Sequence, residues 1–230
     1  MAKEHVHCVF QSVAKQYDAA NNRISLGMHH AWKRALVQAA IKVVPEEGGK
    51  VLDVCCGTGD ITARIAGEHS HVQVTGLDFS SEMLKVAHAR TDNLENVELI
   101  EGNAMELPFE DNSFNAAVVS FGLRNTPDYL QVVQEMTRVV KSGGIVACLD
   151  ASVPSNAFVK PFYTFYYKII MPTLGGGFSK RSEYKWLYQS TQDFLTKQQL
   201  KELFEEAGLK DVSVRSFMCG AAALHVGNVA

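Results

Sequence analysis

Between residues 48 and 152 the chain alternates short apolar runs with stretches whose apolar positions recur at helical spacing. Val51-Leu52-Asp53-Val54-Cys55-Cys56 is a nearly continuous apolar run ending at Gly57-Thr58-Gly59, the pattern of a strand buried on both faces. Ile61 and Ile65 then fall four apart, on one face of a helix over 61–66. A strand at 72–78 follows, then a helix capped by Ser80 or Ser81 that runs to about 90 with Met83, Leu84 and Ala87 inward. Strands at 97–101 and 115–121 come next. A helix is predicted over 126–140, with Thr126 as N-cap and Pro127 in its first turn, stopping at Gly143-Gly144 before a fifth strand at 145–150. Strands alternating with helices predict βαβ units and an α/β, doubly wound sheet covered on both faces.

The flanks break this rhythm. A helix over 30–44 halts at Pro45. Residues 154–190 are rich in Phe, Tyr, Trp, Gly and Lys without a repeat. Thr196 with Gln199 forms a capping-box start for a helix to 207, closed by Gly208. Residues 211–227 read as two strands meeting near Gly220, a closing hairpin that adds an antiparallel strand to a mostly parallel sheet. One domain in four parts results: an N-terminal helical arm (1–47), a core (48–152), an aromatic insertion (153–192), and a C-terminal helix and hairpin (193–230).

Composition narrows the class. At 230 residues, 47% hydrophobic and 20% charged, the chain reads as globular rather than disordered, collagenous or disulfide-stapled. Twenty-two basic against twenty-five acidic residues leave a net charge of −3, so the basic excess of a nucleic-acid binder is missing. The five cysteines are odd in number and include no CxxC pair, which speaks against zinc and for a reducing cytosol. No metal site is expected. The first ten residues lack the apolar stretch of a secretory signal, and no run is long enough to span a membrane.

Gly57-Thr58-Gly59 lies between a strand and a helix, where backbone approach and helix N–H groups serve a ligand. Its plain alternative is a tight turn that holds nothing. Asp78, ending the next strand, is placed to accept hydrogen bonds from a ribose diol, or simply to cap the following helix. A third glycine, which a nicotinamide dinucleotide needs, is replaced by Thr62, and no cation sits in the loop. Asp53 adds an anion that repels phosphate but suits an amino group or a sulfonium. The charge pattern therefore prefers S-adenosylmethionine to NAD. After the third strand, Asn103 and Ala104 offer an amide and a backbone N–H to adenine.

With these motifs in place the chain resembles the ubiquinone/menaquinone C-methyltransferases. Tyr17-Asp18-Ala19-Ala20-Asn21-Asn22 through His29-His30-Ala31-Trp32-Lys33 resembles that family's N-terminal signature, Ser120-Phe121-Gly122-Leu123-Arg124-Asn125 the one after the fourth strand, and Arg138 through Ser152 the one around the fifth. Ala20, Ser142 and Asp150 depart from the family's usual residues, and Asn115 from those of many class I methyltransferases. The likeness is strongest to the menaquinone branch. It implies a class I, Rossmann-like methyltransferase fold, S-adenosylmethionine as methyl donor, and a demethylmenaquinol as acceptor. A ubiquinone-type benzoquinol, another small-molecule acceptor, and a catalytically silent partner in a quinone-synthesis complex remain as alternatives.

By that resemblance Thr58, Asp78, Asn103, Ala104 and Ser120 contact the cofactor, joining Asp53, Gly57 and Gly59. Arg124, Asn125 and His29 are the candidate catalytic residues, Arg124 as the partner of a quinolate. His225, inside an apolar run, has the setting of a satisfied sheet histidine. The aromatic stretch, with Gly175-Gly176-Gly177 as a joint, is expected to be a mobile lid over a prenyl tail. A cytoplasmic protein that touches the membrane surface transiently is expected, and a homodimer is compatible with it.

Overall fold

Valine-rich, β-branched runs form the middle of a seven-stranded sheet, because such side chains fill a surface packed from both sides. The computed structural model describes residues 27–154, 158–166 and 189–230, with Asn22, Ser25 and Asn156. Strands β1 (Gly49–Val54), β2 (Val72–Asp78), β3 (Val97–Glu101), β4 (Phe114–Ser120) and β5 (Val140–Ala151) are parallel to one another. The closing hairpin contributes β6 (Lys210–Phe217) and β7 (Ala222–Asn228), and β7 runs antiparallel to both β5 and β6. The order β3-β2-β1-β4-β5-β7-β6 reverses direction between β1 and β4. That reversal is where an open α/β sheet leaves a crevice at its carboxyl edge.

Alternate residues of each central strand enter different cores. Val51, Ala116, Val118, Ala147 and Leu149 pack under helices α1 (His29–Ile41) and α2 (Asp60–Glu68). Leu52, Ala117, Val119, Val146 and Cys148 pack under the helices α4 and α6 defined below. Helix α3 (Ser81–Thr91) begins at Ser80, whose hydroxyl accepts from Met83 N. Helix α6 (Lys197–Glu206) carries the expected capping box of Thr196 and Gln199. A short helix α5 (Lys160–Phe165) lies in the insertion, with Phe158 and Phe165 exposed and Tyr163 buried. The triple glycine and most of the aromatic stretch lie outside the described residues. Among the described residues no helix is long and apolar enough to cross a membrane.

Strands β1 and β4 lie one or two residues earlier than expected, and three other boundaries differ for physical reasons. Helix α4 (Tyr129–Val139) is capped by Asp128, whose side chain accepts from Gln131 N, while Thr126 closes a preceding 3-10 turn at Leu123–Asn125. Asp128 has the stronger cap chemistry, and Pro127 falls before the helix instead of in its first turn. Helix α1 stops at Ile41, clear of Pro45, which bars helical geometry at the residue before it. Strand β5 starts at Val140 and continues through Gly143-Gly144. A Cβ on Gly144 would lie 2.3 Å from the Asn115 carbonyl oxygen, so this glycine permits a close strand approach at a register shift.

Phe204 is fully buried on the α6 face, its ring 6.0 Å from that of His225. Phe204→Ala should cost about 3–5 kcal/mol of stability, read as a lowered urea midpoint at unchanged slope. A loss below about 1 kcal/mol would mean that this core closes without the ring.

Candidate functional site

The parallel strands end their apolar runs at one edge, and the side chains there surround a cleft of about 730 Å³, a size suited to a small ligand. Crossing hydrogen bonds tie the edge together: Cys56 N donates to Leu77 O, Gly102 N to Asp78 O, and Phe121 N to Leu149 O. Cys55 and Phe121 hold left-handed φ of 56° and 57° where β1 and β4 turn out of the sheet, a conformation that costs a non-glycine residue energy. Gly122 makes that turn possible, since a Cβ there would meet Cys55 Cβ at 2.6 Å.

The glycine loop has the shape its sequence implied. Gly57 and Gly59 both have positive φ. Nothing stands within 4 Å of a Cβ on Gly57, whereas a Cβ on Gly59 would strike Ala87 at 2.9 Å. Gly57 thus opens the cleft floor, and Gly59 lets α3 close against the loop. Asp78 reaches back to this loop: its Oδ2 accepts from Gly57 N at 2.8 Å and its Oδ1 from Ser80 N at 2.9 Å. Burial raises its pKa against the pull of those backbone donors. Thr58 is buried, and its hydroxyl accepts from Arg90 Nη1 at 3.2 Å.

Asp53 turns toward the α1 and α2 face. Its Oδ2 accepts from both Thr62 N (3.0 Å) and Thr62 Oγ1 (2.7 Å). Burial is the larger influence and pushes its pKa up to about 7, so the charge expected there exists in only part of the population at neutral pH. Thr62, the residue where a dinucleotide loop would carry glycine, thereby has a structural task. Asn103 and Ala104 line the cleft after β3, with Asn103 Oδ1 accepting from Met105 N.

At the other end Ser120, Arg124 and Asn125 line the cleft. Ser120 Oγ and Asn125 Oδ1 are buried with no hydrogen-bond partner among the described residues. Orphaned acceptors and donors at a cleft wall are what a polar ligand satisfies. Arg124 is held by the protein itself. Its guanidinium pairs with Asp150 near the end of β5 and donates to Phe121 O at 2.9 Å. Both side chains are at most 5% exposed.

His29 is buried on α1, outside the lining of the cleft, with Nδ1 2.6 Å from Ser25 Oγ. Burial, followed by the Lys33 charge, lowers its pKa to about 4. Four residues on, Lys33 does line the cleft, and its Nζ donates to Asp60 Oδ2 at 2.7 Å. Sequence reasoning passed over Lys33, Asp60 and Asp150 as functional candidates. Only the position of Lys33 beside Trp32 in the N-terminal motif, and of Asp60 after Gly59, hinted at them. His225 is buried in the sheet, with Nε2 2.9 Å from Lys197 O. Four cysteines among the described residues are free, and no cluster there has the make-up of a metal site.

The arrangement is that of an edge cleft able to hold a nucleoside and an amino-acid group together, next to a second polar corner for an acceptor. A demethylmenaquinone methyltransferase of Staphylococcus epidermidis is 49% identical over 227 residues, covering 98% of this chain and 93% of that protein. One from Staphylococcus aureus is 49% identical over 228 residues with the same coverage. Among solved structures, a SAM-dependent methyltransferase from Thermotoga maritima superposes with a TM-score of 0.66 at 18% identity, covering 98% of this chain and 100% of that one. A second, from Aquifex aeolicus, gives 0.61 at 17% identity over 84% and 89% of the two chains. These likenesses establish a class I, SAM-dependent methyltransferase fold. The model of the ubiE/COQ5 methyltransferase family matches residues 1–229, and the chain belongs to that family.

Proposed function

We propose that the protein transfers a methyl group from S-adenosylmethionine to a ring carbon of a demethylmenaquinol. The observation that carries this reading is the 49% identity, over 98% of the chain, to proteins named demethylmenaquinone methyltransferase. Site chemistry supports the donor: a carboxylate for a ribose diol at Asp78, an open floor at Gly57, and Thr62, bonded to Asp53, where a dinucleotide loop carries its third glycine. In this reading Asp78 takes the ribose, Asn103 and Ala104 the adenine, Gly57, Thr58, Gly59 and Asp53 the amino-acid end, and Ser120 the side facing the acceptor. Bound there, S-adenosylmethionine supplies an electrophilic methyl group on sulfur.

Arg124 and Asn125 meet the acceptor. Asn125 Oδ1 accepts from a ring hydroxyl whose proton passes to a water, and the Arg124 guanidinium steadies the oxyanion that remains, which raises electron density at the adjoining ring carbon. Once methylated, that carbon gives up its own hydrogen as a proton to water and the ring is aromatic again. Asp150 holds Arg124 in place for this, so little of the guanidinium's freedom is lost on binding. His29, neutral at physiological pH and outside the cleft, orients α1 through Ser25. The whole chain works as one domain, with Ser190 and Asp193 lining the cleft from beyond β5. Exposed Phe158 and Phe165 suit a transient contact with the membrane that holds the prenyl tail.

Incubation with a demethylmenaquinol and methyl-labelled S-adenosylmethionine should yield ring-methylated menaquinol, identified by mass spectrometry. Label found on oxygen, or on no quinol at all, would overturn the reading.

Arg124→Lys is the instructive variant, because Arg124→Ala would strand buried Asp150 and cost about 3–5 kcal/mol of stability by itself. The lysine keeps the charge but not the two-sided fork, so kcat should fall at least tenfold while S-adenosylmethionine affinity holds. A normal kcat would remove Arg124 from the acceptor corner.

The raised Asp53 carboxyl gives a pH dependence. A cationic donor prefers the ionised form, so binding expels the proton that Asp53 holds below about pH 7. Affinity should therefore climb from pH 5.5 to 7, with proton release on binding, and Asp53→Asn should flatten the climb. Calorimetry in buffers of different ionisation heat counts those protons, and none released by the wild type would refute the assignment.

A further inference from the structure

Lys33 stands out as a cation that the fold has buried at a ligand cleft. Its side chain is 9% exposed, yet it lines the cleft. Burying an ammonium is costly unless anions surround it. The anion it meets, Asp60, is shared: Oδ2 takes Lys33 at 2.7 Å, while Oδ1 has Arg64 and Arg90 at 4.0 Å each. One carboxylate thus faces three cations. Burial pushes the Asp60 carboxyl up, but Lys33 and then the two arginines outweigh it and hold it below its usual range. The neighbouring acid, Asp53, is ionised only in part. The other two N–H donors of Lys33 have no partner among the described residues, and Arg64 Nε is likewise buried without one.

We infer that Lys33 binds the α-carboxylate of the methyl donor, an assignment that rests on the cofactor reading above. That reading sets the ribose on Asp78, so the amino-acid end extends past the glycine loop toward α1 and α2. An α-amino acid brings one negative and one positive group. The Lys33 ammonium, with donors left over from Asp60, takes the carboxylate, and Asp53 takes the ligand's ammonium. The two charges are drawn to different walls, which orients the donor along the cleft. Helix α1, the carrier of the N-terminal motif, thereby becomes part of the donor site as well as a cover for the sheet.

The test compares S-adenosylmethionine with its decarboxylated form, which differs only in lacking that carboxylate, by equilibrium binding without acceptor. The wild type should prefer S-adenosylmethionine by about ten- to a hundredfold, the range for a hydrogen bond to a charged group. In Lys33→Met the preference should vanish through weaker binding of S-adenosylmethionine, with the decarboxylated compound bound as before. Asp60 keeps Arg64 and Arg90 in that variant, and thermal unfolding verifies its fold. Equal weakening of both ligands would make Lys33 a structural link between α1 and α2 and overturn the proposal. A wild type that binds the two compounds equally overturns it with no variant needed. If the wild type binds neither, the cofactor reading itself has failed.

Discussion

Buried carboxylates at the carboxyl edge of the sheet are the constraint around which the site is arranged. Asp53, Asp78 and Asp150 lie at or next to the ends of β1, β2 and β5, each no more than 5% exposed. An isolated buried carboxylate is untenable, so each must be met by donors. Asp53 takes the backbone and hydroxyl of Thr62, Asp78 the backbones of Gly57 and Ser80, and Asp150 the guanidinium and backbone of Arg124. These bonds fix the helix start after β1, the glycine loop and the turn after β4. Loops that would otherwise be adjustable become walls of set geometry.

Much of the fold was open to reading because strands buried on both faces leave long apolar runs. The bounds of β2 and β3 fell where periodicity set them. Punctuation was harder. Gly143-Gly144 has the look of a terminator, yet it allows β5 to pass close to Asn115 inside the sheet, and composition alone does not separate those two uses of glycine. Thr126 and Asp128 are both good caps two residues apart. Only the 3-10 turn that consumes Leu123–Asn125 decides between them.

The site was readable where the backbone dictates chemistry and opaque where distant chains meet. Gly57, Gly59 and Asp78 follow from one strand–turn–helix unit and the strand after it. Arg124 was visible as a charge after β4, but its partner Asp150 comes from the neighbouring strand and carried no local signal. The pairing of Lys33 with Asp60 is longer still in its logic, since α1 must pack on the same sheet face as α2 before the two can meet. The charge on Asp53 was out of reach for a related reason. Sequence supplies the carboxyl, while burial decides how much of the time it is charged.

The same fold at 17–18% identity carries other methyltransferases, so the sheet alone cannot choose an acceptor. Selectivity has to come from what stands around the common edge. Here the two sides of the cleft differ in kind. The α1 and α2 side is dense in charge, with Lys33, Asp53, Asp60, Arg64 and Arg90, which suits a zwitterion. The β4 side offers Phe121, Arg124, Asn125 and Tyr129, which suits an aromatic ring with hydroxyls. Among the described residues the cation of that corner is Arg124, which Asp150 already pairs, and the Asp193 carboxylate lines the cleft beside Tyr129. On the proposed reading, the guanidinium held there acts most strongly on an oxyanion that forms during the reaction, because its attraction counts toward the rate only as that charge appears.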